Sequence, residues 1–416
     1  MNRLLILLIT LITLPSMAQQ SITLEECYRL VAQNYPLAKQ SQLFEAQNKL
    51  DTDVITNAKL PQFSLDGQAS YQSDVIDIPI PDSTIEPINK DQYRATFSIN
   101  QLIYNGGVTN ASLKVKSAQL KTKKKQVEVS LYQLKQEINQ LYFSVLLSYE
   151  TDALLKAKQA QLYAKLKEVK SGIKYGVILP TSDKVLEAEL LKIDQQFQEL
   201  ESNKRTLIET LSSLISLPLA ASTLFQNPLV ELQLQEGLNR PELELFQFKK
   251  EEIKNSETLI SKQNAPQLLG FATGGYGNPG LNILDNSFQP FYTIGVKLHW
   301  NVFDWNTNKK QRKSLAVNSD LVDIEAEIFT LTTNIELNKQ QKDIEKMSAI
   351  IVSDIEIINL RKEVLQAADS QLKNGVVTSS AYITELTNLY EDENTLVRHK
   401  IQLQLAKANY NVIKGQ

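Results

Sequence analysis

The feature that most constrains this sequence is the distance over which glycine and proline are missing. Both residues interrupt long helices, and neither occurs between Val108 and Ser171 or between Thr181 and Leu217. From Val296 to the last residue, the sequence contains two glycines and no proline. We therefore predict four long helices. Two of them, 108–175 and 307–374, would each extend roughly 100 Å at 1.5 Å per residue.

One face of the first long helix carries apolar residues at heptad spacing. From Val127 to Val145 they recur at alternating steps of four and three residues, and later members of the series continue to Ile173. This spacing predicts a coiled-coil seam. Polar residues interrupt the seam, which favours packing against several neighbours over a simple two-stranded coil. The long helices reverse at the short connectors 172–180 and 374–380, so we expect two helical hairpins with tight tips.

The chain contains an internal repeat. Gly375 follows Gly176 at a separation of 375 − 176 = 199 residues, and Phe303 follows Tyr104 at the same separation. Two matched units, 19–217 and 218–416, therefore account for the chain after its first 18 residues.

Each repeat contains two segments in which apolar and polar side chains alternate. They are 62–71 and 93–102 in the first repeat, and 267–276 and 291–300 in the second, where 267–276 alternates least clearly. Strands of about 9 to 11 residues with one apolar face are typical of transmembrane barrels. A soluble sheet with one face on a core would show the same alternation.

Aromatic residues at both ends of these strands favour the membrane interpretation, because membrane barrels carry aromatic girdles at both interfaces. The apolar side chains of the strands would then face lipid. The predicted lipid-facing residues are Phe63, Leu65, Tyr93, Phe97, Ile99, Tyr292, Ile294, Val296 and Leu298.

Four strands are too few to close a barrel. An open sheet edge in lipid leaves backbone N–H and C=O groups unpaired, at several kcal/mol each, so closure requires other copies of the chain. Two copies would supply eight strands, whose interior fills with side chains, whereas three would supply twelve and leave room for a wet lumen. We therefore expect a trimer, which would also place six hairpins side by side as a tube.

Residues 1–18 have the pattern of a secretory signal peptide. Arg3 supplies a positive charge, Leu4 to Leu14 form an apolar run, and Ser16-Met17-Ala18 has the small residues of a cleavage site. The apolar run is too short for a transmembrane helix, which needs about 20 residues. Cys27 lies nine residues past Ala18, so no lipid attachment at the cleavage point is predicted.

The composition argues against several classes of function. A formal net charge of −3 gives the chain no excess of positive charge with which to bind nucleic acid. One cysteine and two histidines cannot form a disulfide framework, a Cys/His metal cage or the usual Cys/His catalytic pair. His299 and His399 have no nucleophile or carboxylate motif around them. We predict no enzyme activity, no cofactor and no metal site.

Six short motifs, taken in their order along the chain, resemble those of a known family, the outer-membrane efflux proteins or TolC-type channel-tunnels. The resemblance extends over the whole mature length. Each motif alone is weak, but their order at repeat spacing is specific. The residues that carry the resemblance are Leu60-Pro61, Gln101 to Gly107, Lys174 to Val177, Asn239 to Glu242, Trp300 to Asp304 and Lys373 to Val376.

The resemblance implies a mainly α fold with a small β part. A homotrimer would place a twelve-stranded β-barrel in outer-membrane lipid and a long α-helical tunnel in the periplasm. Substrate would pass passively to the cell exterior from an inner-membrane pump, of the RND or ABC type, and a periplasmic adaptor, as in tripartite efflux or type I secretion. The alternative is a periplasmic coiled-coil scaffold or adaptor without a channel, which leaves the four alternating strands unexplained.

The hairpin tips are the candidate docking sites for the adaptor, because they carry small and apolar residues at turns where burial does not require them. The alternative is that these residues pack only on their own hairpin. The docking candidates are Gly176, Val177, Ile178, Leu179, Gly375, Val376 and Val377.

Gate candidates lie just beyond the tips, where converging helices would narrow the path. Asp183, Lys184 and Glu385 are charged candidates, and Tyr382 is the candidate for a constriction by size. The alternative for the three charged residues is that they are ordinary solvated surface charges.

Overall fold

The computed structural model describes residues 21–76, 87–233 and 237–416. The predicted signal peptide, 1–18, lies outside the described residues. The chain is mainly helical with a small β part, which confirms that aspect of the predicted fold class. Among the described residues, no helix combines the length and the apolar character needed to cross a membrane.

The elements of the described chain begin and end as follows. They are β1 (Ser21–Ile22), α1 (Leu24–Asn34), α2 (Lys39–Asn57), β2 (Gln62–Tyr71), β3 (Asp91–Tyr104), α3 (Val108–Lys174), α4 (Ser182–Ile215), β4 (Leu224–Phe225), α5 (Pro241–Gln263), β5 (Gln267–Asn278), β6 (Gln289–His299), α6 (Thr307–Lys373) and α7 (Ser379–Lys414). A short 3-10 turn, Pro36–Ala38, separates α1 from α2.

The described residues form two compact units, and each unit draws on both sequence repeats. The sheet unit comprises Gln40–Gln126 and Leu243–Glu327. The hairpin unit comprises the described residues of Met1–Lys39 together with Val127–Glu242 and Ile328–Gln416. The helices α3 and α6 contribute to both units, because each runs without a break through a unit boundary.

The sheet unit contains one antiparallel sheet in the order β2-β3-β5-β6. The pairing of β3 with β5 joins the two strand pairs, one from each repeat. Within the described chain, each of the outer strands β2 and β6 has a strand partner on one side alone. The sheet is therefore open at both edges.

The hairpin unit contains two helical hairpins, α3–α4 and α6–α7. At the end near the tips, each of the four helices contributes three residues to one apolar cluster, which we call the tip core. This cluster explains the heptad spacing of the sequence, since α3 and α6 each contribute at intervals of seven residues. Its members are Leu155, Leu162, Val169, Leu186, Leu190, Ile193, Ile358, Leu365, Leu372, Tyr382, Leu386 and Leu389.

A second apolar cluster joins α1, α3, α4 and α7 at the other end of the hairpin unit. Tyr142 of α3 is fully buried there. Its hydroxyl is within hydrogen-bond distance of two carbonyl oxygens, that of Ile22 at 2.9 Å and that of Gln226 at 2.7 Å. These contacts attach the small parallel sheet of β1 and β4 to the helices.

Candidate functional site

The strand register places the predicted lipid-facing residues on one face of the sheet. Opposed residues of antiparallel strands share a face, and the pairs Phe63 with Ile99 and Leu65 with Phe97 are opposed. Ile99 in turn opposes Ala272, which opposes Ile294. The face is apolar across the four strands, and its larger side chains are open to the surroundings.

Exposure on this face is high for apolar side chains. Leu65 is 79% exposed, Tyr292 76% and Leu298 67%. A face of this kind requires an apolar environment, because a monomeric soluble protein rarely leaves so large an apolar patch in water.

The opposite face of the sheet carries mostly polar side chains. The hydroxyls of Ser98 and Thr273 form a hydrogen bond of 3.1 Å across β3 and β5. The guanidinium of Arg94 lies 5.4 Å from the ring centre of Phe291. This is the composition expected of a surface in contact with water.

Two aromatic rings, those of Phe271 and Phe291, also lie on the polar face. A side chain at Gly275 would place its Cβ 2.5 Å from the ring of Phe291, and one at Gly295 would place it 2.9 Å from the ring of Phe271. The two glycines therefore make room for these aromatic rings. The sequence alone predicted neither pairing, since each depends on the register.

Both hairpin tips turn at a glycine in the left-handed region. Gly176 has φ +75° and Gly375 has φ +71°, a conformation that costs other residues roughly 1–2 kcal/mol. A Cβ on Gly375 would lie 3.0 Å from the carbonyl oxygen of Val177, whereas one on Gly176 would have no neighbour within 4 Å. The two tips are therefore in contact, and the second tip is the more constrained.

The other docking candidates divide into two groups. Val177, Leu179 and Val376 are exposed, at 55%, 67% and 72%. Ile178 and Val377 are partly buried and pack against the tip core. The first tip also borders a groove of about 510 Å³, lined by residues that include Val169, Gly172, Tyr175, Val177, Ile178 and Leu372.

Tyr382 does not occupy the position predicted for it. It is 1% exposed and belongs to the tip core. This placement corrects the prediction that its bulk narrows a pore, because a fully buried side chain does not project into a lumen. Burial raises the pKa of Tyr382 above its ordinary value, so the phenol remains neutral at physiological pH.

The charged gate candidates make local ion pairs. The ammonium of Lys184 lies 2.8 Å from a carboxylate oxygen of Glu187 and 3.8 Å from one of Asp183. Glu385 lies 3.6 Å from the guanidinium of Arg361 on the neighbouring helix α6.

Two buried lysines of α3, seven residues apart, were missed by the sequence analysis. Lys165 forms an ion pair with Asp369 of α6, and its ammonium lies 5.2 Å from the ring centre of Tyr382. Lys158 pairs with Glu189 of α4 at 3.0 Å and lies 4.9 Å from the ring centre of Tyr390. Each lysine thus extends from the first hairpin to a tyrosine of the second.

The environment of Lys165 stabilises its charged form. Burial by itself lowers the pKa of Lys165, but hydrogen bonds to Asp369 and Glu168 outweigh burial and raise it. Burial would raise the pKa of Asp369, yet hydrogen bonds from Lys165 and Lys373 lower it below its ordinary value. Both partners therefore stay ionised near neutral pH.

The described residues contain no group of three or more His, Cys, Asp and Glu side chains placed to hold a metal ion. The polar face of the sheet can line a path, and the charged tips can contact a partner.

Comparison with solved structures finds several proteins with a similar fold. The outer membrane protein VceC of Vibrio cholerae gives a TM-score of 0.67 at 12% identity, over 94% of this chain and 96% of that chain. The CmeC outer membrane channel of Campylobacter jejuni gives 0.64 at 14% identity, over 94% and 85%. The MtrE outer membrane channel of Neisseria gonorrhoeae, in its open state, gives 0.65 at 13% identity, over 94% and 89%.

The chain has the fold of these three outer-membrane proteins. The resemblance that the sequence motifs carried is thereby confirmed at the level of the fold. No family model and no curated protein matches the sequence, so solved structures alone supply the comparison.

Proposed function

We propose that this protein is the outer-membrane channel of a tripartite efflux or type I secretion system. Three copies close a twelve-stranded barrel in the outer membrane, and their hairpins form a periplasmic tunnel that receives substrate from an adaptor and an inner-membrane pump. The observation that carries the proposal is the open four-stranded sheet, which has one exposed apolar face, one polar face and two free edges.

The free edges explain why several copies are required. A strand at the edge of a lipid-exposed sheet must pair its backbone groups, since the hydrocarbon core provides no water to do so. In the proposed trimer, β6 of one copy pairs with β2 of the next. The apolar face then contacts lipid around the whole barrel, and Arg94, Ser98 and Thr273 face the water-filled interior.

Cysteine pairs at the sheet edges test this assembly. The outer strands of one chain lie three strand spacings apart, or about 14 Å, which exceeds the reach of a disulfide. A disulfide that joins Leu65→Cys to a cysteine at Tyr292, Ile294 or Val296 must therefore join two chains. We expect ladders of two and three chains on denaturing gels after oxidation in isolated outer membranes.

The matched control combines Leu65→Cys with Ala272→Cys, because β5 lies inside the sheet and has no free edge. We expect no product from that pair. Single-channel recording in planar bilayers gives the functional readout, and current steps from the purified trimer are expected. A protein that remains monomeric and carries no current would contradict the proposal.

The adaptor contacts the two tips in this proposal. Val177, Leu179 and Val376 are exposed apolar side chains at the turns, and Gly176 and Gly375 keep the turns narrow. Bulky charged substitutions at the two glycines should abolish export without loss of the trimer. Retained drug resistance in cells that carry these variants would refute the docking role.

The closed state depends in this proposal on contacts near the tips. Asp183, Lys184 and Glu385 remain gate candidates, to which we add Lys165 because it links the two hairpins within one chain. Conductance of the Glu385→Ala channel, compared with that of Lys165→Met, distinguishes an exposed charge ring from a buried link. A larger open probability in Lys165→Met alone favours the buried link.

A further inference from the structure

The two turns that lead from a strand into a long helix are equivalent in the sequence repeat but carry different residues. The helices α3 and α6 begin 307 − 108 = 199 residues apart, which is the repeat spacing. The turn before α3 contains Gly106 and Gly107, and the turn before α6 contains Trp305 and Asn306 at the equivalent positions. All four residues lie in the left-handed region, with φ between +54° and +86°.

Trp305 is strained in this conformation, which bulky residues rarely adopt and which glycine adopts freely. Packing within the chain does not compensate the strain, because the side chain is 78% exposed. At the first turn, by contrast, a side chain on Gly106 would overlap Ala265. The second turn thus holds a strained and exposed aromatic residue where the first has no room for a side chain. Strain of this kind is typical of functional positions.

Two further aromatic residues follow β6 directly and are also exposed. Trp300 is 55% exposed and Phe303 is 65% exposed. The ring of Phe303 lies 4.8 Å from that of Trp305, edge to face. Tryptophan is enriched where the hydrocarbon of a membrane meets the headgroups, and these rings lie at the end of a strand with an exposed apolar face. The segment therefore fits the level of the headgroups.

Basic residues follow the rings in the first two turns of α6. They are Lys309, Lys310, Arg312 and Lys313. Arg312 pairs with Glu257 of α5 at 3.0 Å. The three lysines are exposed, and the described part of the chain provides no ion pair for them.

Local helix stability does not explain the three lysines. Lys313 follows the other two at spacings of three and four residues, so all three lie on one face and repel one another. The positive end of the helix dipole also disfavours cations in the first turn. The equivalent positions of α3 hold Asn110, Ala111 and a single lysine, Lys114. An anionic partner outside the chain would compensate the charge of the α6 lysines.

We propose that this segment binds the headgroups of anionic phospholipids in the periplasmic leaflet of the outer membrane. We call the surface the interface patch, and it consists of Trp300, Phe303, Trp305, Lys309, Lys310 and Lys313. The inference rests on the membrane barrel of the proposed function and names the lipid that contacts it.

The dimensions of the interface patch agree with this partner. From the start of α6 to Lys313 the helix rises about 9 Å, and the headgroup layer on each side of a bilayer is about 5–8 Å thick. The aromatic rings then lie at the boundary of the hydrocarbon, and the ammonium groups reach the phosphates. Clustered lysines beside a membrane segment attract anionic lipids in this way.

Intrinsic fluorescence tests the inference, because Trp300 and Trp305 are the two tryptophans of the chain. The purified protein is reconstituted in phosphatidylcholine with a minor fraction of phosphatidylglycerol. Brominated acyl chains, which quench tryptophan on contact, are carried either by the phosphatidylglycerol or by an equal amount of phosphatidylcholine. We expect an association constant for phosphatidylglycerol at least about fivefold that for phosphatidylcholine, the gain expected from one lysine near an anionic lipid.

The variant Lys309→Gln/Lys310→Gln/Lys313→Gln should bring this ratio close to one. The matched control, Lys167→Gln/Lys339→Gln/Lys400→Gln, removes the same charge from three exposed lysines of the hairpin unit and should keep the wild-type ratio. An unchanged ratio in the first variant, or an equal loss in the control, would refute the role of the α6 lysines.

The same measurement separates this inference from the proposed function. If the two brominated lipids quench equally in the wild type, the tryptophans lie in the bilayer and the preference for anionic lipid is refuted. If neither lipid quenches while the protein conducts current in planar bilayers, water or another copy covers the interface patch; the inference fails and the channel stands. If neither lipid quenches and no current flows, both are refuted.

Discussion

The two 67-residue helices α3 and α6 occupy equivalent places in the sequence repeat but differ in their surroundings. Tyr163 is the one large apolar or aromatic residue of α3 that is exposed, whereas α6 exposes many, including Val317, Leu321 and Leu360. In the sheet unit, α3 forms ion pairs with both α2 and α5, and α6 forms them with α5. Equal length and equal position in the repeat therefore do not imply equal burial. The burial of a helix depends on whether it has a neighbour on each side.

The largest effect is expected from truncating a buried leucine of α3, compared with an exposed leucine of α6. Leu162 of α3 is 0% exposed, so Leu162→Ala should lower the free energy of unfolding of the hairpin unit by about 2–5 kcal/mol. Leu321→Ala on α6 should leave the free energy of unfolding of the single subunit within about 0.5 kcal/mol. Thermal unfolding followed by circular dichroism measures both. Equal destabilisation by the two variants would contradict the difference in burial between α3 and α6.

A smaller effect is expected from the ion pair that joins α3 to α6. Asp369→Asn removes a carboxylate whose folded pKa is lowered, so its contribution to stability is present above the ordinary carboxyl pKa of about 4. That contribution is lost as the pH falls through the lowered pKa. We expect a constant difference in Tm between wild type and variant from about pH 5 to pH 9, and convergence in stronger acid. The variant Glu356→Gln, at an exposed carboxylate on the same helix, is the control. A Tm difference that persists in acid would contradict the ionic origin of the effect.

The alanine substitutions at the two tip glycines should lower the Tm by amounts that differ only slightly. Gly176→Ala and Gly375→Ala both impose the left-handed conformation on alanine, at roughly 1–2 kcal/mol. Gly375→Ala also brings its Cβ to 3.0 Å from the Val177 carbonyl oxygen. We expect the lower Tm for Gly375→Ala, measured on trimers in the same detergent. The reverse order would show that the two tips do not touch in solution.

Much of the fold could be predicted from the sequence. The absence of glycine and proline predicted the long helices, and alternation predicted the strands, because each signal depends on neighbours within a few residues. The buried lysines could not be predicted in this way. Lys165 is a typical surface residue in its local context, and Asp369, which stabilises its charge, comes from the other repeat.

The sequence by itself determined the elements of this protein, their order and the two sets of residues on the faces of the sheet. These features follow from local periods of 2 and about 3.6 residues. The tertiary structure decided which strands are outermost in the sheet, that Tyr382 is buried, and that α6 exposes many large apolar side chains while α3 exposes one. Such properties depend on contacts between residues far apart in the chain, which no local pattern of side chains encodes.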